Sequence, residues 1–282
     1  MEILAPAKIN LSLDVVGRRA DGYHLLRTVM QSISLCDTVS LSASGQGKAE
    51  VFCDDKSVSP GENTVLRAAQ AFSEETGLRG NDGLRFTVRK RIPTQAGLGG
   101  GSADAAAALK LLNTFYGAGI SEERLRRIGL MVGADVPFCL MGGTALAEGI
   151  GEKLQKVPSL PPCEIVVCRP KTGVCTGRAY EIFDGCRAKH PVGTDGLLKA
   201  LHAGRLNEIG KCLSNAFAHA GVSSETGRIC GVMMGFHAAG ASMTGSGSAA
   251  FGLFDGKEKA LACREFLAAR YPSTFCCEPV SE

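Results

Sequence analysis

Apolar residues recur along this chain in two periods, and the switches between them outline its elements. Ile9, Leu11, Leu13 and Val15 alternate with their neighbours, the period of a half-buried strand over residues 9–16. Asp21-Gly22 marks a turn, and residues 25–35 read as the returning strand, with short strands at 39–41 and 50–53. Over 63–75 the period changes, because Val65, Leu66, Ala69 and Phe72 recur at helical spacing. Residues 84–92 return to strand. Ala105, Ala108, Leu109, Leu112 and Tyr116 then line one face of a helix that Gly117 stops. Ser121 suits the N-cap of another helix, with Glu122 and Glu123 in its first turn. That helix ends near Gly133, and residues 133–137 read as a loop.

Three prolines within 158–162 mark a boundary, which divides the chain into domains at 1–157 and 158–282. Beyond it the pattern predicts a strand at 164–168, a helix from 176 to 183, and a largely helical stretch over 197–220. Residues 228–238 and 257–271 read as helices, and 247–254 and 274–279 as strands. Strands and helices interleave without a regular βαβ repeat. The predicted fold class is therefore α+β, with helices packed on sheets, and not a doubly wound parallel sheet.

Composition narrows the function. At 282 residues and 45% apolar content the chain can build a substantial core. A net charge of +3, with basic residues scattered apart from Arg89-Lys90-Arg91, does not suit a nucleic-acid surface. Twelve cysteines show no Cys-x-x-Cys spacing, so buried free thiols are expected. The five histidines have no ligand-like spacing, which leaves no structural metal in view. No run approaches the ~20 apolar residues that span a bilayer, and the N-terminal residues lack the charge and apolar pattern of a signal peptide. A cytoplasmic protein with no membrane or nucleic-acid partner is expected. Oligomeric state is not legible.

Residues 93–106 read Pro-Thr-Gln-Ala-Gly-Leu-Gly-Gly-Gly-Ser-Ala-Asp-Ala-Ala. Four glycines in five positions bring bare N–H groups close to a ligand, and the helix that follows adds unpaired amides and a positive dipole end. Such a concavity suits a polyanion, with a nucleoside triphosphate as first candidate and a plain surface turn as the alternative. No Lys follows the glycines, so this is not the G-x-x-x-x-G-K-[ST] loop. It does not fit G-x-G-x-x-G either.

The pattern Pro93-x-x-x-Gly97-Leu98-Gly99-Gly100-Gly101-Ser102-Ala103 instead resembles the ATP loop of the GHMP small-molecule kinases. Pro6-Ala7-Lys8-Ile9-Asn10-Leu11, Gly133-Ala134-Asp135-Val136-Pro137-Phe138 and Thr244-Gly245-Ser246-Gly247-Ser248 match further motifs of that family in family order. Asp21-Gly22-Tyr23-His24 resembles one branch, the 4-diphosphocytidyl-2-C-methylerythritol kinases of non-mevalonate isoprenoid synthesis. The resemblance implies a two-domain architecture with the active site in the cleft between domains. It also implies transfer of the ATP γ-phosphate to an alcohol, with magnesium as cofactor and metal ligands unidentified.

Residue roles follow from the same resemblance. Asp135 is implied as the base and Lys8 as its partner, which helps neutralise charge on the moving phosphoryl group. From the residues alone, Asp135 could cap a helix and Lys8 could be a snorkelling edge lysine. Pro93, Thr94, Gln95, Ala96, Gly97, Leu98, Gly99, Gly100, Gly101, Ser102 and Ala103 are implied to wrap the phosphates, Ser102 offering a hydroxyl to phosphate or metal. Asn63 and Lys90 are placed near the adenine. Asn10, Tyr23, His24, Tyr180, Thr244 and Gly245 are implied to bind the acceptor: His24 on the base, Tyr23 closing the pocket, Tyr180 stacking on cytosine. Asp104 reads as a first-turn acid or a group near the metal. The family pattern has an aromatic ring where Met30 stands and often Arg where Ser242 stands, which changes the substrate wall.

Rivals within the family are homoserine and mevalonate kinases, disfavoured by Asp21-Gly22-Tyr23-His24. A catalytically silent nucleotide-binding module is the rival from another class, against which stands the presence of both Lys8 and Asp135. A dinucleotide-dependent dehydrogenase is a more distant third.

Overall fold

The computed structural model describes residues 1–55, 63–78, 82–186 and 193–281, with Gln46 and Asp82 described by backbone alone. The elements run β1 (Glu2–Arg18), β2 (His24–Lys48), β3 (Glu50–Cys53), α1 (Thr64–Thr76), β4 (Asp82–Arg89), α2 (Gly100–Phe115), α3 (Glu122–Val132), α4 (Val136–Met141), β5 (Thr144–Gly149) and β6 (Lys153–Lys156). They continue with β7 (Glu164–Cys168), α5 (Thr176–Gly185), α6 (Thr194–Ala203), α7 (Leu206–Lys211), β8 (Ser214–Asn215), α8 (Ala216–His219), α9 (Ser224–Gly235), β9 (Gly240–Met243), β10 (Ala250–Phe254), α10 (Lys257–Ala268) and β11 (Thr274–Cys277). Sheets packed with helices in this order make the chain α+β, as its pattern predicts.

Two compact units emerge from internal packing, and neither is one continuous stretch. The first comprises Met1–Ala7, Cys36–Ile92 and Gly99–Gly142. In it the later half of β2 pairs antiparallel with β4, from Thr38 opposite Arg89 to Ala43 opposite Leu84, and β3 runs parallel to β4. Asn63 starts α1 by accepting a capping bond from the Val65 amide at 2.9 Å, and Gly77 ends it in the left-handed conformation. Ser121 caps α3 as expected, through the Arg124 amide. Phe72, Phe86, Leu109, Leu112 and Phe138 lie fully buried within the unit.

The second unit comprises Lys8–Leu35, Pro93–Leu98 and Gly143–Glu282. Here the first half of β2 pairs antiparallel with β5, β5 turns back onto β6, and β1 runs parallel to β8, with Ser12 opposite Ser214. A separate sheet has the order β11-β7-β10-β9 with every pairing antiparallel. Ile229, Met233, Cys263 and Leu267 from α9 and α10 cover it. A second cluster joins Leu13, Phe183, Phe217 and Met243. All twelve cysteines are free thiols, and burial pushes Cys230 up to about 11 and Cys263 up to about 12, so neither is a ready nucleophile.

Several boundaries differ from the sequence reading. The strands predicted at 9–16, 25–35 and 39–41 are parts of two long strands, β1 and β2. The stretch 197–220 is broken: Gly204 caps α6 in the left-handed conformation, and the Asn215 side chain starts α8 by accepting from Phe217 and Ala218 amides. Strands β5 and β9 were not foreseen, because Ala- and Gly-rich segments carry little strand signal, and β6, Lys-Leu-Gln-Lys, is too short and polar to show an alternation.

Close backbone packing explains one glycine. A Cβ at Gly210 would stand 2.1 Å from the Ala239 carbonyl oxygen, where only main chain could give way. Gly210→Ala should cost about 1–3 kcal/mol as overpacking and lower Tm by roughly 2–12 °C. Gly227→Ala, in α9 with open space around it, should raise stability by about 0.5–1 kcal/mol. Thermal melts of both variants check this; equal shifts would refute the packing argument.

Candidate active site

Four even-numbered residues of β1, Lys8, Asn10, Ser12 and Asp14, are all buried, at 4%, 3%, 0% and 8% exposure. Their odd-numbered neighbours Ala7, Ile9, Leu11 and Leu13 are buried as well, so this strand hides an apolar face and a polar one. On the polar face the Lys8 ammonium donates to Asn10 Oδ1 at 2.8 Å. The Asn10 amide nitrogen Nδ2 donates to Thr28 Oγ1 at 2.8 Å, and its backbone N–H to Thr244 Oγ1 at 3.0 Å. Thr244 donates in turn to the Gly97 carbonyl at 3.1 Å.

The glycine loop is held by main chain on both sides. Lys8 N–H donates to the Leu98 carbonyl at 2.9 Å, and Ala249 N–H to the Ala96 carbonyl at 3.1 Å. Gly97 adopts φ +76°, and a Cβ there would lie 2.2 Å from the Thr244 carbonyl oxygen. Gly245 packs back on Gly97, where a Cβ would lie 2.9 Å from the Gly97 carbonyl oxygen. Lys8, Asn10, Thr244, Gly245, Gly97 and Leu98 thus come together within the second unit. Pro93 and Thr94 are partly buried at the loop's start, and Gln95 sits at φ +53°. Ala96, Leu98 and Ala103 bury their side chains, so only their backbone can face a ligand.

In the first unit, Gly99 precedes α2 in the left-handed conformation with no side-chain cap, leaving the first-turn amides of Gly100, Gly101 and Ser102 for another acceptor. Thr64, beside Asn63 at the start of α1, donates to the Gly101 carbonyl at 2.6 Å. A Cβ on Gly133 would lie 3.9 Å from Ser102 Oγ, so the loop carrying Asp135 runs beside the first turn of α2. Asp135 occupies the N-cap position of α4, yet its side chain makes no capping bond to that helix. Pro137 in the first turn of α4 needs no amide partner there.

Lys90, the residue after β4, lies in a buried ion cluster. Its ammonium lies 2.5 Å from Asp37 Oδ2 and 2.6 Å from Asp104 Oδ2. Asp37 also accepts from the Arg91 and Ile92 amides at 2.5 and 2.8 Å, which pins the backbone entering the glycine loop. Burial alone would lower the Lys90 pKa, but the charges of Asp104 and Asp37 outweigh it and raise the value. Burial pushes Asp104 up to about 7, with Asp37 adding to the rise and Lys90 opposing it. Asp104 Oδ1 is buried with no hydrogen-bond partner. Asp37 was missed in the sequence, although it sits at an inward position of the alternation Ile33, Leu35, Asp37, Val39, Leu41.

A third cluster lies in the second unit. His24 stacks on Tyr180, ring centroids 4.4 Å apart at 17°, and its Nε2 lies 2.9 Å from Asp184 Oδ1. Tyr180 also meets Phe217 edge-on at 4.9 Å. A cavity of about 500 Å³ is lined by Val15, Gly17, Arg18, His24, Phe183 and Asp184. Tyr23 is 63% exposed and does not join this stack. Met30 and Ser242 are both buried in strands. Asp184 and Thr28 were not singled out in the sequence. Lys8 and Asp135 belong to different compact units. Among the described residues no helix is long and apolar enough to cross a membrane.

Two family models match the chain, GHMP kinases N terminal domain over residues 63–143 and GHMP kinases C terminal over 197–273. The chain is 40% identical over 270 residues to the 4-diphosphocytidyl-2-C-methyl-D-erythritol kinase of Caldicellulosiruptor bescii, covering 95% of this chain and 94% of that one. It is 37% identical over 283 residues to the protein of the same name from Clostridium kluyveri, covering 98% of each. A crystal structure of 4-(cytidine 5'-diphospho)-2C-methyl-D-erythritol kinase matches with a TM-score of 0.81 at 34% identity, covering 100% of both chains.

The ion cluster predicts a pH effect. The folded pKa of Asp104 lies above its ordinary 3.8, so its favourable contribution is complete below that value and is lost as pH rises through about 7. Urea unfolding between pH 4 and 8 should show Asp104→Asn losing less stability with rising pH than the parent, by a few kcal/mol across the range. Parallel profiles would show that Asp104 keeps an ordinary carboxylate pKa.

Proposed function

Because the chain belongs to the GHMP kinase family, we propose that it transfers the γ-phosphate of ATP to the 2-hydroxyl of 4-diphosphocytidyl-2-C-methyl-D-erythritol, in isoprenoid precursor synthesis. The protein is an ATP-dependent small-molecule kinase. One observation supports phosphoryl transfer above other chemistry: a buried ammonium, Lys8, shares one hydrogen-bond network with the glycine loop through Asn10 and Thr244. Phosphoryl transfer depends mainly on positioning and on charge aimed at the transferring group, and a fixed ammonium supplies both.

In the proposed mechanism the α2 amides and the glycine loop hold the triphosphate. Asp135 accepts the proton of the attacking hydroxyl as the bond to phosphorus forms. Lys8 neutralises charge on the moving group, and no phospho-enzyme forms. Asn10 orients the acceptor, while Lys90 and Asn63 border the adenine. The His24–Tyr180 pair receives the cytosine, and Tyr23 closes over it. Among the described residues no three His, Cys, Asp or Glu side chains come together as a metal cage. Magnesium would arrive with the nucleotide, where it would neutralise triphosphate charge, with Ser102 offering it a hydroxyl. We further propose that 1–157 and 158–282 are the two functional modules, since the matched family regions fall one on each side.

ADP release by purified protein tests the substrate: the cytidyl alcohol should support turnover where homoserine and mevalonate do not. Turnover with either of those instead would reassign the substrate, and ATP binding without any turnover would favour a silent module. Asp135→Asn should lower kcat by about 10²–10⁴-fold while ATP affinity stays within about threefold. Full activity in that variant would remove Asp135 from the mechanism.

A further inference from the structure

The hydrogen bonds around Lys8 run in one direction only. A hydroxyl has a single proton to give. Thr28 spends its proton on the Ser12 carbonyl, at 2.5 Å, and that oxygen can only accept. Thr28 Oγ1 must therefore accept from Asn10, so the amide edge facing it is the NH₂, at 2.8 Å. The opposite edge of the same amide, Oδ1, is then the one presented to the Lys8 ammonium at 2.8 Å. Thr244 accepts the Asn10 backbone N–H at 3.0 Å and shares its one proton between the Gly97 carbonyl at 3.1 Å and Asn10 Oδ1 at 3.3 Å, the longer of the two, so it supports the same amide orientation more weakly than Thr28 does. Reversing the amide would aim two N–H donors at an ammonium that accepts nothing, in a site where Lys8, Asn10 and Thr28 are 4%, 3% and 2% exposed.

We propose that Thr28 is a positioning residue for phosphoryl transfer, relaying the direction of the Ser12 carbonyl through Asn10 to hold the Lys8 ammonium in place. The proposal rests on the catalytic role given above to Lys8. Thr28 touches no reacting atom. Its hydroxyl matters as an acceptor with a committed proton, and a side chain of equal volume without that oxygen leaves the Asn10 NH₂ without this buried partner and loosens the amide that carries Oδ1.

The test compares Thr28→Val, which keeps the shape and loses the hydroxyl, with Thr28→Ser, which keeps the hydroxyl. Thr28→Val should lower kcat 10- to 100-fold, with KM for ATP within threefold of the parent. Thr28→Ser should restore kcat to within about threefold. Hydrogen exchange of the Asn10 side-chain amide, followed by NMR, should be at least tenfold faster in Thr28→Val than in the parent or Thr28→Ser. A Thr28→Val kcat within twofold of the parent, or a Thr28→Ser loss as large as that of Thr28→Val, would overturn the proposal. Should Thr28→Val not fold, Thr28→Ala carries the same comparison. Parent protein that fails to phosphorylate the cytidyl alcohol would refute the substrate reading. Unchanged Asn10 exchange in Thr28→Val would refute the relay, whichever substrate is used.

Discussion

An ammonium ion taken out of water must be surrounded by acceptors, and the neighbourhood of β1 is organised around that demand. Lys8 is 4% exposed on a strand whose other face is packed with Ala7, Ile9 and Leu11. Leaving a charge there without partners would cost several kcal/mol or force the proton off. Asn10 supplies an oxygen, Thr28 accepts from the amide that carries it, and Thr244 accepts the Asn10 backbone N–H. Because Thr244 also bonds the Gly97 carbonyl, the ammonium and the glycine loop are set by one network. Gly97 has no freedom to be anything larger, since a Cβ would lie 2.2 Å from a main-chain oxygen.

The first unit handles its buried charge differently. Lys90 faces two carboxylates, so the cluster carries an excess negative charge when all three groups ionise. Burial of that excess is what holds Asp104 up to about 7. Asp37 escapes isolation through two backbone amides, and those amides belong to the residues that lead into the glycine loop. Both clusters therefore join a buried ion to the backbone of the glycine-rich segment or of the residues leading into it. Rigidity there suits a reaction whose rate depends on placement more than on covalent chemistry.

Much of the architecture was legible because its signals are local. Ser121 marks a helix start by capping an amide three residues away, the helical period of 63–75 lies on α1, and the alternation of 9–16 lies within β1. The loop at 133–137 was read correctly as far as Asp135, but Val136 already opens α4. Other segments misled for physical reasons. Residues 144–149 and 240–243 are small and alanine- or glycine-rich, a weak strand signature, and β9 needs such residues because Gly240 lies against the Gly210 backbone. Asp37 carried no signal of its partners in the sequence, since they lie 53 to 55 positions away.

Order of motifs, periodicity and composition determined on their own the α+β class, the glycine-rich loop, the family resemblance and a short set of residues able to do chemistry. Tertiary structure alone decided which of them meet. Asn10 and Thr244 are 234 positions apart, His24 and Asp184 160, and no local pattern encodes such a pairing. Helix caps and strand periods are satisfied within a few residues, whereas a buried polar group takes its partner from whatever the folded chain brings alongside it.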